Sequence, residues 1–116
     1  MPEPTFTLPS ISAEDALSGA KVGTLEMIDM RKREAVRSAG IRLVDTATRD
    51  PFQFDHDDPL MQSSGRIAVF CVHGHEVSHF ACALLHVHGV DAFLVEGGIE
   101  ALKAAGATTI PVEPEN

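Results

Sequence analysis

The chain has 116 residues and a formal net charge of −8, which favours one small domain and argues against a general nucleic-acid binder. Its hydrophobic fraction of 44% is ordinary for a globular protein, and no apolar run approaches the roughly 18 residues of a membrane span. The first ten residues, MPEPTFTLPS, lack a basic segment followed by an apolar one, so we expect a cytoplasmic protein with no secretory signal and no membrane partner. One domain is predicted over residues 1–116, with a core at about 10–106 and flexible ends.

The cysteine and basic residues add two constraints. Cys71 and Cys82 are too few, and too far from any CxxC pattern, for a disulfide scaffold or a zinc finger, so free thiols in a reducing compartment are expected. Seven of the nine basic residues lie between Arg31 and Arg66. A solvated surface is the favoured interpretation of this cluster, and a basic rim is the alternative.

The first half of the chain predicts short elements separated by turns. Ser12 is placed to cap a helix over residues 13–18, which Gly19 would end. Residues 25–30 and 41–44 are apolar runs that predict buried strands, and residues 32–38 between them predict a short polar helix ending before Gly40. Residues 46–65 are rich in Asp, Pro and Ser and predict a long loop with one helical turn near Pro59.

The second half alternates strands and helices more clearly. Strands are predicted at residues 67–70 and 92–95, and helices at residues 77–88 and 99–105. The alternation predicts an α/β fold, a small mainly parallel sheet flanked by helices. The expected buried seam of the longer helix consists of Val77, Phe80, Ala81, Leu84 and Val87, with Gly89 ending the helix.

The stretch HEVSH at residues 75–79 matches the zinc-hydrolase pattern H-E-x-x-H. A zinc site would need a helix through His75 and His79 and a further ligand such as Glu96 or Glu100. That helix would have to begin almost at the preceding strand, so the pattern is interpreted as a coincidence and no metal is expected. His75, His79, Cys82 and His86 share one helical face, interpreted as a polar stripe facing solvent or a partner.

Cys71 has a setting that favours reactivity. It directly follows a predicted parallel strand and precedes a short loop and a helix, where backbone N–H groups and the helix dipole stabilise an anion such as a thiolate. Gly74 permits a tight curl of that loop, and His73 and His75 could donate hydrogen bonds or add positive charge. Cys82 lacks such surroundings and is expected to be structural.

Three separated motifs resemble those of the rhodanese family. CVHGHE at residues 71–76 resembles the active-site loop C-x-x-G-x-x, and Ile28, Asp29 and Arg31 match the segment I-D-x-R. LVEGGIEAL at residues 94–102 resembles L-x-G-G-x-x-x-W, with Leu102 where tryptophan often stands. Because order and spacing agree along roughly residues 10–106, the chain is similar to single-domain rhodaneses.

The resemblance implies a sulfurtransferase without a cofactor. Cys71 would take a sulfane sulfur from thiosulfate or a low-molecular-weight persulfide and pass it to a thiol, a protein or cyanide. Asp29 and Arg31 would have a structural role near the end of the sheet. The expected substrate-binding loop consists of Val72, His73, Gly74, His75 and Glu76.

The loop also departs from the family pattern. Val72 and Glu76 occupy positions where many rhodaneses carry a basic residue, and a carboxylate there would repel the thiosulfate dianion. Arg49 is a candidate for the missing cation. Phosphatase chemistry is disfavoured because Val77 stands where its loop needs an arginine. The alternatives left open are a non-catalytic binding or regulatory module with the same fold and a metal-binding protein that uses HEVSH.

Overall fold

The structure of the chain, a computed structural model, describes residues 8–72 and 76–112, without the side chains at positions 76 and 77. The helices in this part are α1 (Ala13–Val22), α2 (Arg33–Ala39), α3 (Glu76–Val87) and α4 (Gly98–Ala104), with a 3-10 helix at Pro59–Gln62. None of the described helices combines the length and the apolar character that crossing a bilayer requires. The strands are β1 (Ser10–Ile11), β2 (Leu25–Asp29), β3 (Ile41–Leu43), β4 (Ala47–Thr48), β5 (Arg66–Phe70), β6 (Asp91–Val95) and β7 (Thr109–Pro111).

The main sheet has five parallel strands in the order β1-β6-β5-β2-β4, which confirms the predicted α/β class. The central strand β5 pairs with β2 in a register that sets Phe70 beside Asp29. The remaining strands, β3 and β7, form a separate antiparallel pair. The carboxyl ends of β2, β4 and β5 therefore lie side by side at one edge of the sheet, where ligands bind in open parallel sheets.

Two apolar clusters cover the two faces of the sheet. On β5, Ile67 and Val69 pack on the face that carries α3, whereas Ala68 and Phe70 pack on the face that carries α1 and α4. All four side chains are fully buried. Since successive side chains of a strand point to opposite faces, a strand covered on both sides is apolar at every position. This explains why the continuous apolar run IAVF predicts a buried strand.

Helix α1 begins as predicted but ends later. The Ser12 hydroxyl accepts a hydrogen bond from the Asp15 amide at 3.1 Å, which confirms the N-cap. Gly19 does not end the helix; it lies inside it, where a Cβ would come within 2.7 Å of Leu25 Cδ2. The helix instead ends at Gly23, whose φ of 82° is a left-handed value that favours glycine. Gly19 is therefore there for close packing against β2.

The predicted strand at residues 41–44 exists as β3 but does not enter the main sheet, because it pairs with β7. The place beside β2 is taken by β4, within a stretch predicted to be loop. The helical turn predicted near Pro59 is confirmed as the 3-10 helix. Strands β1, β4 and β7 have only two or three residues each, too few to show a period in the sequence.

The predicted buried face of α3 is only partly correct. Ala81 is fully buried and Leu84 packs against the core, as predicted. Phe80 and Val87, expected in the buried seam, are 57% and 80% exposed. The polar-stripe interpretation fails as well, because Cys82 in that stripe is fully buried. Among the α3 side chains that the structure describes, from position 78 onward, the buried ones are Ser78, Ala81, Cys82 and Leu85.

The physical reason is the size of the side chains that α3 presents to the strands beneath it. Three of the four buried positions carry small side chains, which let the helix lie close to β5 and β6. Among these four residues only Leu85 supplies a large apolar group, and the half-buried Leu84 packs against the same core cluster. Hydrophobic periodicity weights large side chains most heavily, so it shifted the predicted seam toward Phe80 and Val87.

Candidate active site

The backbone of Cys71 lies where three elements meet. Cys71 is the first residue after β5, and its carbonyl oxygen accepts a hydrogen bond from the Ile99 amide of α4 at 2.9 Å. The preceding carbonyl, that of Phe70, accepts one from the Met30 amide at 2.8 Å. The cysteine is thereby held between the end of β2 and the first turn of α4.

The Cys71 side chain points to the face of the sheet that carries α3. It is only 7% exposed, and its Sγ lies 3.1 Å from the hydroxyl oxygen of Ser78, where either group could be the donor. Ser78 is itself buried and belongs to the first turn of α3. The sulfur therefore lies at the amino-terminal, positive end of a 12-residue helix. A hydroxyl donor and this dipole both favour negative charge on the sulfur.

Asp29 and Arg31 form a buried ion pair beside this cysteine. Arg31 Nη2 donates to Asp29 Oδ2 at 2.9 Å, and Arg31 Nε donates to both carboxylate oxygens at 3.1 Å. The same Nη2 also donates to the Ile41 carbonyl at 3.0 Å, which ties the end of β2 to β3. The expected structural role near the sheet end is confirmed by this geometry.

No protein-family model and no curated protein matches the sequence. Solved structures do match. A rhodanese-related protein from Thermoplasma volcanium is 20% identical with a TM-score of 0.66, covering 88% of this chain and 97% of that one. A rhodanese-like domain from Anabaena is 19% identical with a TM-score of 0.65, covering 91% and 81%. The chain has a rhodanese-like fold.

Neighbours of this rhodanese-like fold do not all carry the same description. A protein of unknown function from Rhodopseudomonas palustris, described as a possible tyrosine phosphatase, is 18% identical with a TM-score of 0.71, covering 93% of this chain and 98% of that one. At such identities the likeness establishes the fold, and the chemistry has to be argued from the site.

The structure describes only some of the predicted site residues. Cys71 and the half-buried Val72 are described, and the described part of α3 begins at Glu76, one residue before the predicted start of the helix. His73, Gly74 and His75 lie outside the described residues, as does the side chain of Glu76, so their roles stay predictions. Ser78 was missed by the sequence analysis. Its only signal was a polar residue in the first turn of a helix that follows a reactive cysteine.

Arg49, the candidate for a cation near the loop, has other partners. Its Nε donates to Asp58 Oδ2 at 2.9 Å, and its Nη1 donates to the Thr48 carbonyl at 3.0 Å. Asp58 in turn caps the 3-10 helix by accepting from the Leu60 amide. Arg49 therefore anchors the acidic segment after β4.

The proposed metal ligands on α3 are dispersed. Cys82 is fully buried, His79 is exposed, and His86 Nε2 lies 2.7 Å from the Ala92 carbonyl oxygen. No group of three or more His, Cys, Asp or Glu residues in the described ranges could hold a metal ion. His75 lies outside those ranges, so the H-E-x-x-H hypothesis itself is not tested.

The burial of Cys82 predicts how the free energy of unfolding changes at alkaline pH. Burial raises the pKa of its thiol from 9.0 to about 12. The folded state therefore keeps the thiol neutral while the unfolded chain ionises, so this contribution is present below about pH 9 and is lost as the pH rises toward 12. Between about pH 8 and about pH 10, the wild type should lose about 1 kcal/mol more unfolding free energy than Cys82→Ala. Urea denaturation at both pH values measures this, and parallel losses in the two proteins would contradict it.

Proposed function

We propose that the protein is a sulfurtransferase that carries sulfane sulfur on Cys71 and delivers it to a thiol, a protein thiol or cyanide. The observation that carries the proposal is the position of Cys71 in a rhodanese-like fold. It is the first residue after the central strand, with its sulfur 3.1 Å from the Ser78 hydroxyl at the start of α3. Such a setting suits a group that alternates between a thiolate and a persulfide.

The chemistry balances without an external oxidant or reductant. The Cys71 thiolate attacks the outer sulfur of the donor, and the S–S bond of the donor breaks. The leaving group, sulfite from thiosulfate or a thiolate from a persulfide, departs with the electron pair. An acceptor nucleophile then attacks the outer sulfur of the Cys71 persulfide and regenerates the thiolate. Ser78 can donate a hydrogen bond to sulfur whenever the charge returns to it.

The donor is expected to be a persulfide rather than thiosulfate. Neither Val72 nor Glu76 supplies the positive charge that many rhodaneses place in this loop, and a carboxylate repels a dianion more strongly than a singly charged donor. Arg49 does not replace that charge freely, because it is paired with Asp58. A persulfide donor carries a single charge at its reacting end, so the Glu76 carboxylate repels it less than it repels thiosulfate.

Intact-mass measurement tests the proposal directly. The reduced protein is incubated with glutathione persulfide and, separately, with thiosulfate; we expect a gain of one sulfur atom, about 32 Da, with the persulfide in particular. The adduct should be absent in Cys71→Ser and retained in Cys82→Ala, the matched control for the second thiol. Ser78→Ala should load more slowly while remaining folded.

The opposite outcome is equally informative. If neither donor adds sulfur to the wild type, or if Cys71→Ser still acquires it, the sulfur-carrier proposal is wrong. The non-catalytic binding module would then be the better hypothesis.

A further inference from the structure

The outer face of α3 carries a row of apolar side chains. Phe80 and Val87 are 57% and 80% exposed, and Ala83 and Leu84 between them are half-buried. Positions 80, 83, 84 and 87 follow the spacing i, i+3, i+4 and i+7, which places them side by side on one helical face. These four residues form the α3 ridge. A row at this spacing is the pattern of a helix surface that packs against another element.

The other large apolar side chains that are exposed among the described residues are scattered. Val22 is at the end of α1, Val44 follows β3, and Phe52 lies in the segment after β4. The Phe52 ring has Lys32 Nζ 5.9 Å from its centroid. Single exposed apolar residues of this kind are common on protein surfaces. The α3 ridge differs from them because its members are adjacent.

The surface beside the ridge is acidic. Helix α3 contains no lysine and no arginine. The acidic segment after β4, residues 50–58, is held against the helix, since Phe54 packs in the same core cluster as Leu85. Further along that segment, the His56 ring is stacked on the His88 ring with the centroids 6.4 Å apart. The exposed carboxylates of the segment therefore lie near the carboxyl-terminal part of α3.

Two of these carboxylates keep their negative charge. Asp55 and Asp57 are exposed, and Asp55 Oδ1 accepts the Asp57 backbone amide at 3.0 Å. Asp57 Oδ1 lies 3.7 Å from Nε2 of His56, a ring that is charged only when it is protonated. Within the described ranges, neither carboxylate forms an ion pair with a lysine or an arginine, whereas Asp58 is paired with Arg49. A partner that complements this surface has an apolar row with basic groups beside it.

The ridge begins next to the proposed sulfur site. Ser78, whose hydroxyl lies 3.1 Å from Cys71 Sγ, precedes Phe80 by two residues, which is about 3 Å along the helix axis. From Phe80 the ridge continues for about 10 Å to Val87. A helix packed along the ridge would therefore reach the end of α3 at which the sulfur lies.

We propose that the α3 ridge docks an amphipathic helix of the protein that accepts sulfur from Cys71, a helix whose apolar row is flanked by lysine or arginine. The role of this partner as acceptor rests on the proposed function. Its thiolate attacks the outer sulfur of the Cys71 persulfide, the S–S bond breaks, and the electron pair returns to the Cys71 sulfur. Apolar contact with the ridge supplies affinity, and Asp55 and Asp57 select a basic partner.

A second copy of this chain fits the ridge less well. Each copy has a net charge of −8, and the α3 helix of neither copy supplies a lysine or an arginine to face the carboxylates of the other. Two such surfaces would bring like charges together, which opposes association.

Model peptides test the docking without any sulfur transfer. The basic peptide is a helix with a leucine row flanked by lysine and arginine and a serine at one end, and the acidic peptide has glutamate in place of each lysine and arginine. NMR of the reduced, isotope-labelled protein should show saturable amide shifts in α3 and at residues 55–58 with the basic peptide. The acidic peptide should bind about tenfold more weakly.

Three neutral substitutions locate the binding surface. Phe80→Ser and Val87→Ser should each weaken binding of the basic peptide by about fivefold or more, because each removes an apolar contact. Val22→Ser is the matched control, since Val22 is 73% exposed at the end of α1 and is not part of the ridge. Its affinity should equal that of the wild type. The unchanged part of each spectrum shows that the variant is folded.

A transfer experiment then tests the acceptor role. The protein is loaded with glutathione persulfide, and peptides with cysteine in place of the serine remove the sulfur, which intact mass follows on both molecules. The basic peptide should discharge Cys71 at least about tenfold faster than the acidic one, and Val87→Ser should lose most of this difference. Cyanide is too small to use the ridge and should discharge Val87→Ser and the wild type at the same rate.

Several results would overturn the proposal. These are equal binding of the two peptides, shifts away from α3, or wild-type affinity in both Phe80→Ser and Val87→Ser; a persulfide that still forms would then leave the proposed function intact. Self-association that Val87→Ser abolishes in sedimentation would assign the ridge to a second copy instead. A wild type that binds the basic peptide but forms no persulfide would contradict the proposed function, and with it the acceptor role, while docking at the ridge would stand.

Discussion

Asp29→Asn is expected to lower the free energy of unfolding by about 3–5 kcal/mol, because it leaves the Arg31 guanidinium buried without a compensating charge. Both side chains of the pair are only 1% exposed, so water cannot replace the lost carboxylate. The asparagine oxygen could still accept the Arg31 backbone amide, which lies 3.0 Å from Asp29 Oδ1, but its NH2 group would replace the oxygen that accepts from Arg31 Nη2. Urea denaturation at neutral pH measures the change.

Two controls, a variant of a surface ion pair and a double variant of the buried pair, test whether the loss comes from the unpaired buried charge. Asp91→Asn breaks the exposed pair with Arg66 and should cost less than about 0.5 kcal/mol. Asp29→Leu combined with Arg31→Met removes both buried charges and should recover much of the loss, since apolar replacement of a buried pair is often close to neutral. If Asp29→Asn were no more harmful than Asp91→Asn, the buried pair would not stabilise the sheet end as proposed.

Phe70→Ala is the second change with a large expected effect. Phe70 is fully buried in the cluster that joins α1 and α4 to the sheet, so its truncation should lower the free energy of unfolding by about 3–5 kcal/mol. Phe80 provides a control with the same chemistry on the exposed face of α3. Because it is 57% exposed, Phe80→Ala should cost less than about 1 kcal/mol.

The comparison also tests the orientation of α3, which the sequence pattern predicted only in part. If Phe80→Ala destabilised the protein as strongly as Phe70→Ala, the helix would have to present Phe80 to the core. Phe70→Leu adds a graded control, since it keeps most of the buried volume and should cost about 1.5 kcal/mol or less. Denaturation curves of the three variants, with unchanged slopes, provide these values.

Only the features of the candidate site that depend on residues close together in the sequence were predictable. The position of Cys71 followed from the strand before it and the loop and helix after it, and the structure places it at the end of β5. The motif around Asp29 and Arg31 also led to the correct ion pair. The two residues are only two positions apart at the end of a strand, so their contact depends on local sequence. Ser78 was not found, since seven positions separate it from Cys71 and only the packing of α3 brings the two together.

By itself the sequence determined the elements that are long enough, or capped strongly enough, to leave a local signal. The apolar runs of β2, β5 and β6, the Ser12 cap and the left-handed Gly40 belong to this group, since each depends on neighbouring residues alone. Tertiary structure decided which face of α3 is buried, which partner β3 takes, and that the acidic segment after β4 lies beside α3. These features depend on how closely a helix approaches the sheet and on contacts between residues far apart in the chain. The hydrophobic periodicity of a short sequence segment contains no information about either.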